Sequence, residues 1–311
     1  MSKLRLVVSL PNQNHYQKEQ AKAAQMQAEG LGAEVKILDA NNDSVSQSQQ
    51  LLEVLQSKSA PRPDAILVEP LTSTGLIRVA EAAVAAGVSW VLLNSHVDYI
   101  DRLRSQSKAC VFAVTRDHVE IGRIQGRQFA ALLPNGGTVL YVQGPNTSAA
   151  AVQRTTGMES VKPANINVRA LRSQWTEQSA HEAVAAWLRL STSKPEAIDL
   201  VGCQYDGIAR GARKAFQEVL RGEDRDRWLA LPFTGVDGLP DEGQVWVNRG
   251  ELVATVVAPV TTLVATDLLV NALRTGTQPS GLTLLELKSY PPLEALSALG
   301  AKRAAQKPTG A

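Results

Sequence analysis

The stretch Leu4-Arg5-Leu6-Val7-Val8-Ser9-Leu10 is followed by Gln17 to Glu29 and then by Glu34-Val35-Lys36-Ile37-Leu38, and this succession decides the fold. The outer pieces are short and rich in β-branched residues, whereas the middle one carries apolar residues at three-and-four spacing. The unit therefore reads strand, helix, strand. Further strand runs are expected at Ala65 to Val68, Ser89 to Leu93, Val111 to Val114, Thr138 to Val142, Asn167 to Leu171, Ala197 to Val201, Leu229 to Thr234 and Leu252 to Val257. Helical patterns fall between them at Gln47 to Ser57, Leu76 to Ala86, Glu120 to Leu133, Glu177 to Leu190, Asp206 to Leu220 and Thr261 to Arg274. Such alternation specifies an α/β fold with parallel sheets and helices on both faces. One sheet holding all these strands would be unusually wide, so two sheets of about five strands each are expected. Gly30, Gly32, Gly87 and Gly136 with Gly137 close helices ahead of strands, and Pro61, Pro63 and Pro195 mark turns.

Composition narrows the function. The 311 residues are 44% hydrophobic and 20% charged, and 32 Lys plus Arg against 30 Asp plus Glu leave a net charge of +2. That balance supplies no basic stripe for phosphates, so nucleic acid is not an expected partner. No apolar run approaches the roughly 20 residues of a membrane span, and no insertion into a membrane is expected. Cys110 and Cys203 lie in apolar runs and are read as small buried hydrophobes; two cysteines make neither a disulfide framework nor a four-ligand zinc site. The first strand begins at Leu4 with no leader ahead of it. The expected compartment is periplasmic if a signal peptide was trimmed and cytoplasmic otherwise.

In open parallel sheets, ligands gather at the carboxyl ends of the strands. The residues there are polar and varied: Pro11-Asn12-Gln13-Asn14-His15-Tyr16, Glu69-Pro70-Leu71-Thr72, Asn94-Ser95-His96, Thr115-Arg116-Asp117-His118, Gly144 to Ser148, Trp175, Gln204-Tyr205-Asp206 and Asp237-Gly238. Each alone reads as a turn or helix cap. Their concentration on one rim reads as a binding surface for a small molecule.

Several of these pieces carry a family resemblance. Val7-Val8-Ser9 with Tyr16, the Asp117 to Gly126 segment, Thr147-Ser148-Ala149-Ala150 leading to Arg154 and Gly157, Tyr205-Asp206 with Gly211-Ala212, and Thr234-Gly235-Val236-Asp237-Gly238 follow one another in the order and spacing of a known pattern. From Leu4 to about Pro292 the chain resembles type I periplasmic binding proteins of the ribose and galactose class, which share their fold with the effector-binding cores of LacI-type repressors. The resemblance implies two Rossmann-like lobes with parallel sheets and three interlobe crossings. One lobe would comprise residues 1–115 plus 259–285 and the other 116–258 plus 286–292, with 293–311 as a tail. It also implies a sugar, polyol or sugar acid held in the interlobe cleft with hinge closure. The partner would be an ABC transporter permease or a sensor protein, the chain a monomer, and cofactor and metal none.

Carried over position by position, Tyr16 is the aromatic set against a sugar ring, with His15 where a second aromatic is common, and Trp175 is the aromatic of the other lobe. Arg154 matches the arginine that forks onto ligand oxygens, and Asp237 the carboxylate that accepts from paired hydroxyls. Gln13 and Asp117, from the loops after the first and fifth strands, are further expected ligand contacts. The departures are Asn94-Ser95 in place of an Asp-Arg pair, Tyr205 in place of an asparagine, Ala258 in place of a glutamine, and Arg116 and Glu69 where smaller neutral groups are frequent. Asn94, Tyr205, Arg116 and Glu69 are therefore expected to set ligand preference.

Two other classes compete. An enzyme would need a coherent nucleophile, base and orienter. The chain has no phosphate-binding glycine loop, nucleophile elbow or His-Glu-x-x-His pair, and its four histidines are isolated in sequence; no catalysis is expected. A regulator of the LacI type would need a DNA-reading module before the first strand, where only Met1-Ser2-Lys3 stand. A ligand-sensing regulatory protein lacking that module is the alternative reading.

Overall fold

The computed structural model describes residues 3–190 and 198–306. The chain divides into two compact units, Met1–Arg116 with Val260–Leu285 and Asp117–Pro259 with Glu286–Ala311.

The first unit contains β1 (Leu4–Leu10), α1 (His15–Gly30), β2 (Ala33–Asp39), α2 (Ser44–Gln56), β3 (Ala65–Val68), α3 (Ile77–Ala85), β4 (Ser89–Leu93), α4 (Tyr99–Gln106) and β5 (Val111–Arg116). The second runs from α5 (His118–Leu132) through β6 (Gly137–Gln143), α6 (Ala149–Val161), β7 (Ile166–Arg172), α7 (Glu177–Leu188), β8 (Leu200–Cys203), α8 (Asp206–Val219), α9 (Gly222–Leu229), β9 (Phe233–Asp237), α10 (Gly243–Asn248) and β10 (Ala254–Val257). The chain then returns to the first unit for α11 (Thr261–Thr275) and β11 (Leu282–Leu285), and ends in the second with β12 (Lys288–Tyr290) and α12 (Leu293–Gln306).

The sheet of the first unit has the order β11-β5-β4-β3-β1-β2 and every pair is parallel. Its inner strands β3, β4 and β5 are buried from both sides, which is why they read as unbroken apolar runs rather than alternating ones. One face packs Ala24 and Ala28 of α1 and Ala265 and Leu269 of α11 against Leu6, Val8 and Phe112. The other packs Leu51, Leu55, Val79, Ile100 and Leu103 against Val7, Ile66 and Trp90. The second unit repeats the plan as β12-β10-β9-β8-β6-β7, with β12 alone antiparallel to its neighbour. Phe129, Tyr141, Met158, Leu200 and Leu296 form one of its cores.

Caps fix where helices start. The side chains of Asn14, Asp117 and Thr176 accept from the backbone N–H of Gln17, Glu120 and Ser179, satisfying donors that the first turn of α1, α5 and α7 leaves open.

The structure departs from the sequence expectation in several places. Each sheet has six strands, because β11 and β12, short and half-exposed, were not anticipated. Leu229 ends α9 instead of opening a strand, and the strand is Phe233–Asp237. Glu223 and Asp224 in the first turn of α9 and Arg227 in its last suit the helix dipole, and Trp228 anchors it by stacking on Phe216 at 4.7 Å. Trp187 meets the same Trp228 edge-on at 5.7 Å. The strand expected from Ala197 is Leu200–Cys203; Ala197 and Pro195 lie outside the described residues. Arg116 is the last residue of β5 and belongs to the first unit, and Pro259 belongs to the second. The expected tail from 293 is a helix as far as Gln306: Leu296 is buried in the core, and Gly300 packs so closely on Ala131 O of α5 that no side chain fits between them. Residues 307–311 lie outside the described residues.

Candidate functional site

Each unit gathers polar side chains at the carboxyl ends of its strands. In the first unit, Glu69 follows β3 and is fixed through its backbone. Its N–H donates to Ser9 O at 3.0 Å, and its carbonyl accepts from Gln47 Nε2 at 2.9 Å. Glu69 Oε2 accepts from Asn94 Nδ2 at 2.7 Å and from Gln17 Nε2 at 3.1 Å. Asn94, closing β4 with φ +53°, accepts from Tyr16 Oη at 3.2 Å. The guanidinium of Arg116 lies over the Tyr16 ring, 4.5 Å from its centre, a cation–π geometry. Tyr16, Asn94 and Arg116 are buried and Glu69 is partly so.

The structure thus brings Tyr16, Glu69, Asn94 and Arg116 into one cluster. Gln13 does not join it: it is exposed, and its Nε2 donates to Asp39 Oδ2 at 2.8 Å. His15 is the half-buried first residue of α1. Gln17 and Gln47 escape the sequence reading because a glutamine in an amphipathic helix pattern carries no positional signal.

In the second unit the centre is Arg154. It sits on α6, which is pressed against α5 by two glycines. A Cβ at Gly157 would collide with Val119 O, and one at Gly122 would collide with Arg154 O. This close approach buries Arg154 to 3% exposure. Its Nη1 donates to Gln204 O, its Nε to His118 Nδ1 at 3.4 Å, and its Nη2 lies 3.9 Å from Asp237 Oδ1. Its guanidinium is 5.3 Å from the centre of the Trp175 ring, and Trp175 in turn lies on the backbone of Gly144. A buried guanidinium with hydrogen-bond acceptors on several sides is held in one orientation.

Asp237 ends β9 in a left-handed conformation, φ +99°. Behind it lies Asp206, 1% exposed, whose Oδ2 accepts from Gly238 N–H and whose Oδ1 accepts from Thr255 Oγ1, each at 2.7 Å. Gly235 and Gly243 leave it room, since a Cβ at either would strike its carboxylate. Burial, and after it the charge of Asp237, push the Asp206 pKa well up. Tyr205 flanks the start of α8, buried, with its ring over Gly207. Arg154, Trp175 and Asp237 are therefore joined, Tyr205 lies in sequence between Gln204, which accepts from Arg154, and the buried Asp206, and Asp117 is occupied as the cap of α5. Asp206, Gln204 and His118 were not among the named ligand contacts, although the rim segments after the strands contain all three.

The sequence profile of the periplasmic binding protein domain matches residues 6–276. The chain belongs to that family. The ribose import binding protein RbsB of Escherichia coli (strain K12) is 26% identical over 233 residues, covering 75% of this chain and 71% of that one. The galactofuranose-binding protein YtfQ of the same organism is 26% identical over 287 residues, covering 90% and 85%. In three dimensions the chain is similar to a galactofuranose binding protein with a TM-score of 0.78 at 23% identity, over 97% of this chain and 99% of that one. The fold of this family is two α/β lobes with mostly parallel sheets, and the two units of this chain have that composition. Among the described residues no helix is long and apolar enough to cross a membrane.

Proposed function

We propose that this chain binds a sugar or polyol as the solute-binding component of an ABC-type importer, outside the cytoplasmic membrane. One observation carries the reading: each unit ends its strands in an aromatic ring, an arginine on or beside that ring, and a carboxylate. The sets are Tyr16, Arg116 and Glu69 in the first unit and Trp175, Arg154 and Asp237 in the second. A sugar offers a C–H face to a ring and hydroxyls to charged acceptors and donors, so both sets suit it. Tyr16, Glu69, Asn94 and Arg116 supply one half of the contacts and Arg154, Trp175, Tyr205 and Asp237 the other, with His15, Gln13 and Asp117 at the margin. Membership of the family and relatives named for ribose and galactofuranose support the class of ligand. The family and the matched relatives named as binding proteins support binding rather than turnover.

The test is a thermal-shift screen with ribose, galactofuranose, xylitol, myo-inositol and sugar acids. A ligand at 100 times its dissociation constant stabilises the protein by about 2.7 kcal/mol. Arg154→Lys keeps the charge and loses the fork, and is expected to weaken that ligand by about tenfold or more, or about 1.4 kcal/mol. A screen in which no sugar, polyol or sugar acid shifts the melting temperature at millimolar concentration would overturn the reading.

A further inference from the structure

Gln204 follows β8 directly and has no solvent exposure. Its backbone carbonyl accepts from Arg154 Nη1. Its side-chain Oε1 accepts from the N–H of Gly144 at 3.0 Å, and Gly144 is the residue on which the Trp175 indole rests. Its Nε2 lies 3.0 Å from Ala151 O and from Thr155 Oγ1, and 3.1 Å from Tyr141 Oη. Ala151 and Thr155 are one turn apart on α6 and bracket Arg154. Tyr141 Oη donates onward to Gln125 Oε1 at 2.8 Å, and Gln125 Nε2 donates back to Cys203 O at 2.8 Å.

The amide has one possible orientation. Reversed, its NH2 would face the Gly144 N–H and its oxygen would face Ala151 O, two like pairs in a dry site. Gln204 therefore ties three elements at one point: the end of β6 carrying Gly144, the helix α6 carrying Arg154, and β8 itself, the sheet neighbour of β6.

We propose that Gln204 is a positioning residue that sets Arg154 and Trp175 relative to each other. Its carbonyl and its side-chain amide act on the two partners separately, so one residue fixes the guanidinium and the support of the indole together. This rests on the reading of Arg154 and Trp175 as the ligand-holding groups of the second unit, but its test does not need a ligand.

The measurement is the Trp175 contribution to tryptophan emission, taken as the difference between each protein and the same protein carrying Trp175→Phe. In the native chain Trp175 is half-buried, and its contribution is expected to be partly shielded from acrylamide. Gln204→Met keeps the volume and deletes the amide, and is expected to red-shift the Trp175 contribution and open it to quenching, with the contributions of Trp90, Trp187, Trp228 and Trp246 unmoved. Gln204→Glu keeps the acceptor for Gly144 N–H and loses the donors to α6, so its shift is expected to lie between native and methionine. Should Gln204→Met fail to fold, the comparison of native with Gln204→Glu decides. A Trp175 contribution identical to native in the folded variants would reduce Gln204 to a stabilising residue and overturn the proposal. Loss of the native Trp175 signature together with a failed ligand screen would leave this inference standing and remove the sugar-binding one.

Discussion

Asp206 Oδ2 accepts the backbone N–H of Gly238 at 2.7 Å, so a buried carboxyl on α8 holds the residue that follows Asp237. The same carboxyl has its pKa raised well above the ordinary 3.8 by burial and by the Asp237 charge. The folded protein therefore binds this proton more tightly than the unfolded chain does. The resulting stabilisation is complete below the unfolded value and is lost as pH rises through the raised folded one. Asp206→Asn cannot titrate, yet its amide oxygen can still accept from Gly238 N–H with its Nδ2 turned to Thr255 Oγ1. Its melting temperature relative to native is expected to be lowest near pH 4 and to improve toward pH 8, read by scanning calorimetry across that range. A pH-independent difference would show that Asp206 is ionised throughout.

Gly157→Ala places a methyl group against Val119 O in the tightest contact between α5 and α6. Overpacking of this kind costs about 1–3 kcal/mol, and more where backbone must yield. Denaturant unfolding is expected to show that loss. The same variant is expected to weaken ligand binding, because Arg154 lies one turn back on the displaced helix.

Asn94→Asp would set a second carboxylate where Asn94 Nδ2 now donates to Glu69 at 2.7 Å. Two carboxylates so close share a proton, which raises the pKa of the pair. The variant is expected to be destabilised at pH 7 and to recover as the pH falls toward 5, whereas the native protein lacks that recovery at this position. Equal stability of the two proteins at pH 7 would mean that Glu69 turns away from residue 94.

Leu296→Ala tests whether α12 is part of the second unit. A leucine buried to 1% exposure beside Phe129 and Met158 is expected to cost about 2–5 kcal/mol when truncated. A change within about 0.5 kcal/mol, typical of exposed positions, would return the segment to the status of a tail.

Most of the central strands were legible because burial on both faces leaves an unbroken apolar signature, as in Ala65–Val68 and Ser89–Leu93. The edge strands β11 and β12 were not, because exposed residues such as Leu282 and Lys288 carry neither a run nor a clean alternation in sequence. α12 was read as a tail because Lys302, Arg303 and the terminal residues obscure the one buried leucine and the glycine that dock it. At the site, charged and aromatic residues on the rim stood out from their position after strands. The glutamines at 17 and 47 did not, since their role comes from burial and from a partner distant in sequence, Glu69; Gln204 stood on the rim, but its links to Gly144 and Arg154 arise only in the packed unit. Gly122 and Gly157 were visible only as parts of motifs; their purpose, bringing two helix backbones together, is a property of the packed pair.

The common strand order of the two sheets places Asn94 and Asp237 in the same slot, at the ends of β4 and β9, and both residues have positive φ. Glu69 and Gln204 also correspond. Each follows the strand next in order, and each donates its N–H to the sixth residue of the matching strand, Ser9 in β1 and Val142 in β6. Such agreement in backbone detail with different side chains repeats one plan in the two units. Four buried clusters each draw on one unit only. Substitutions on the rim of one unit therefore leave the other's scaffold intact, and the two polar clusters are free to change one at a time.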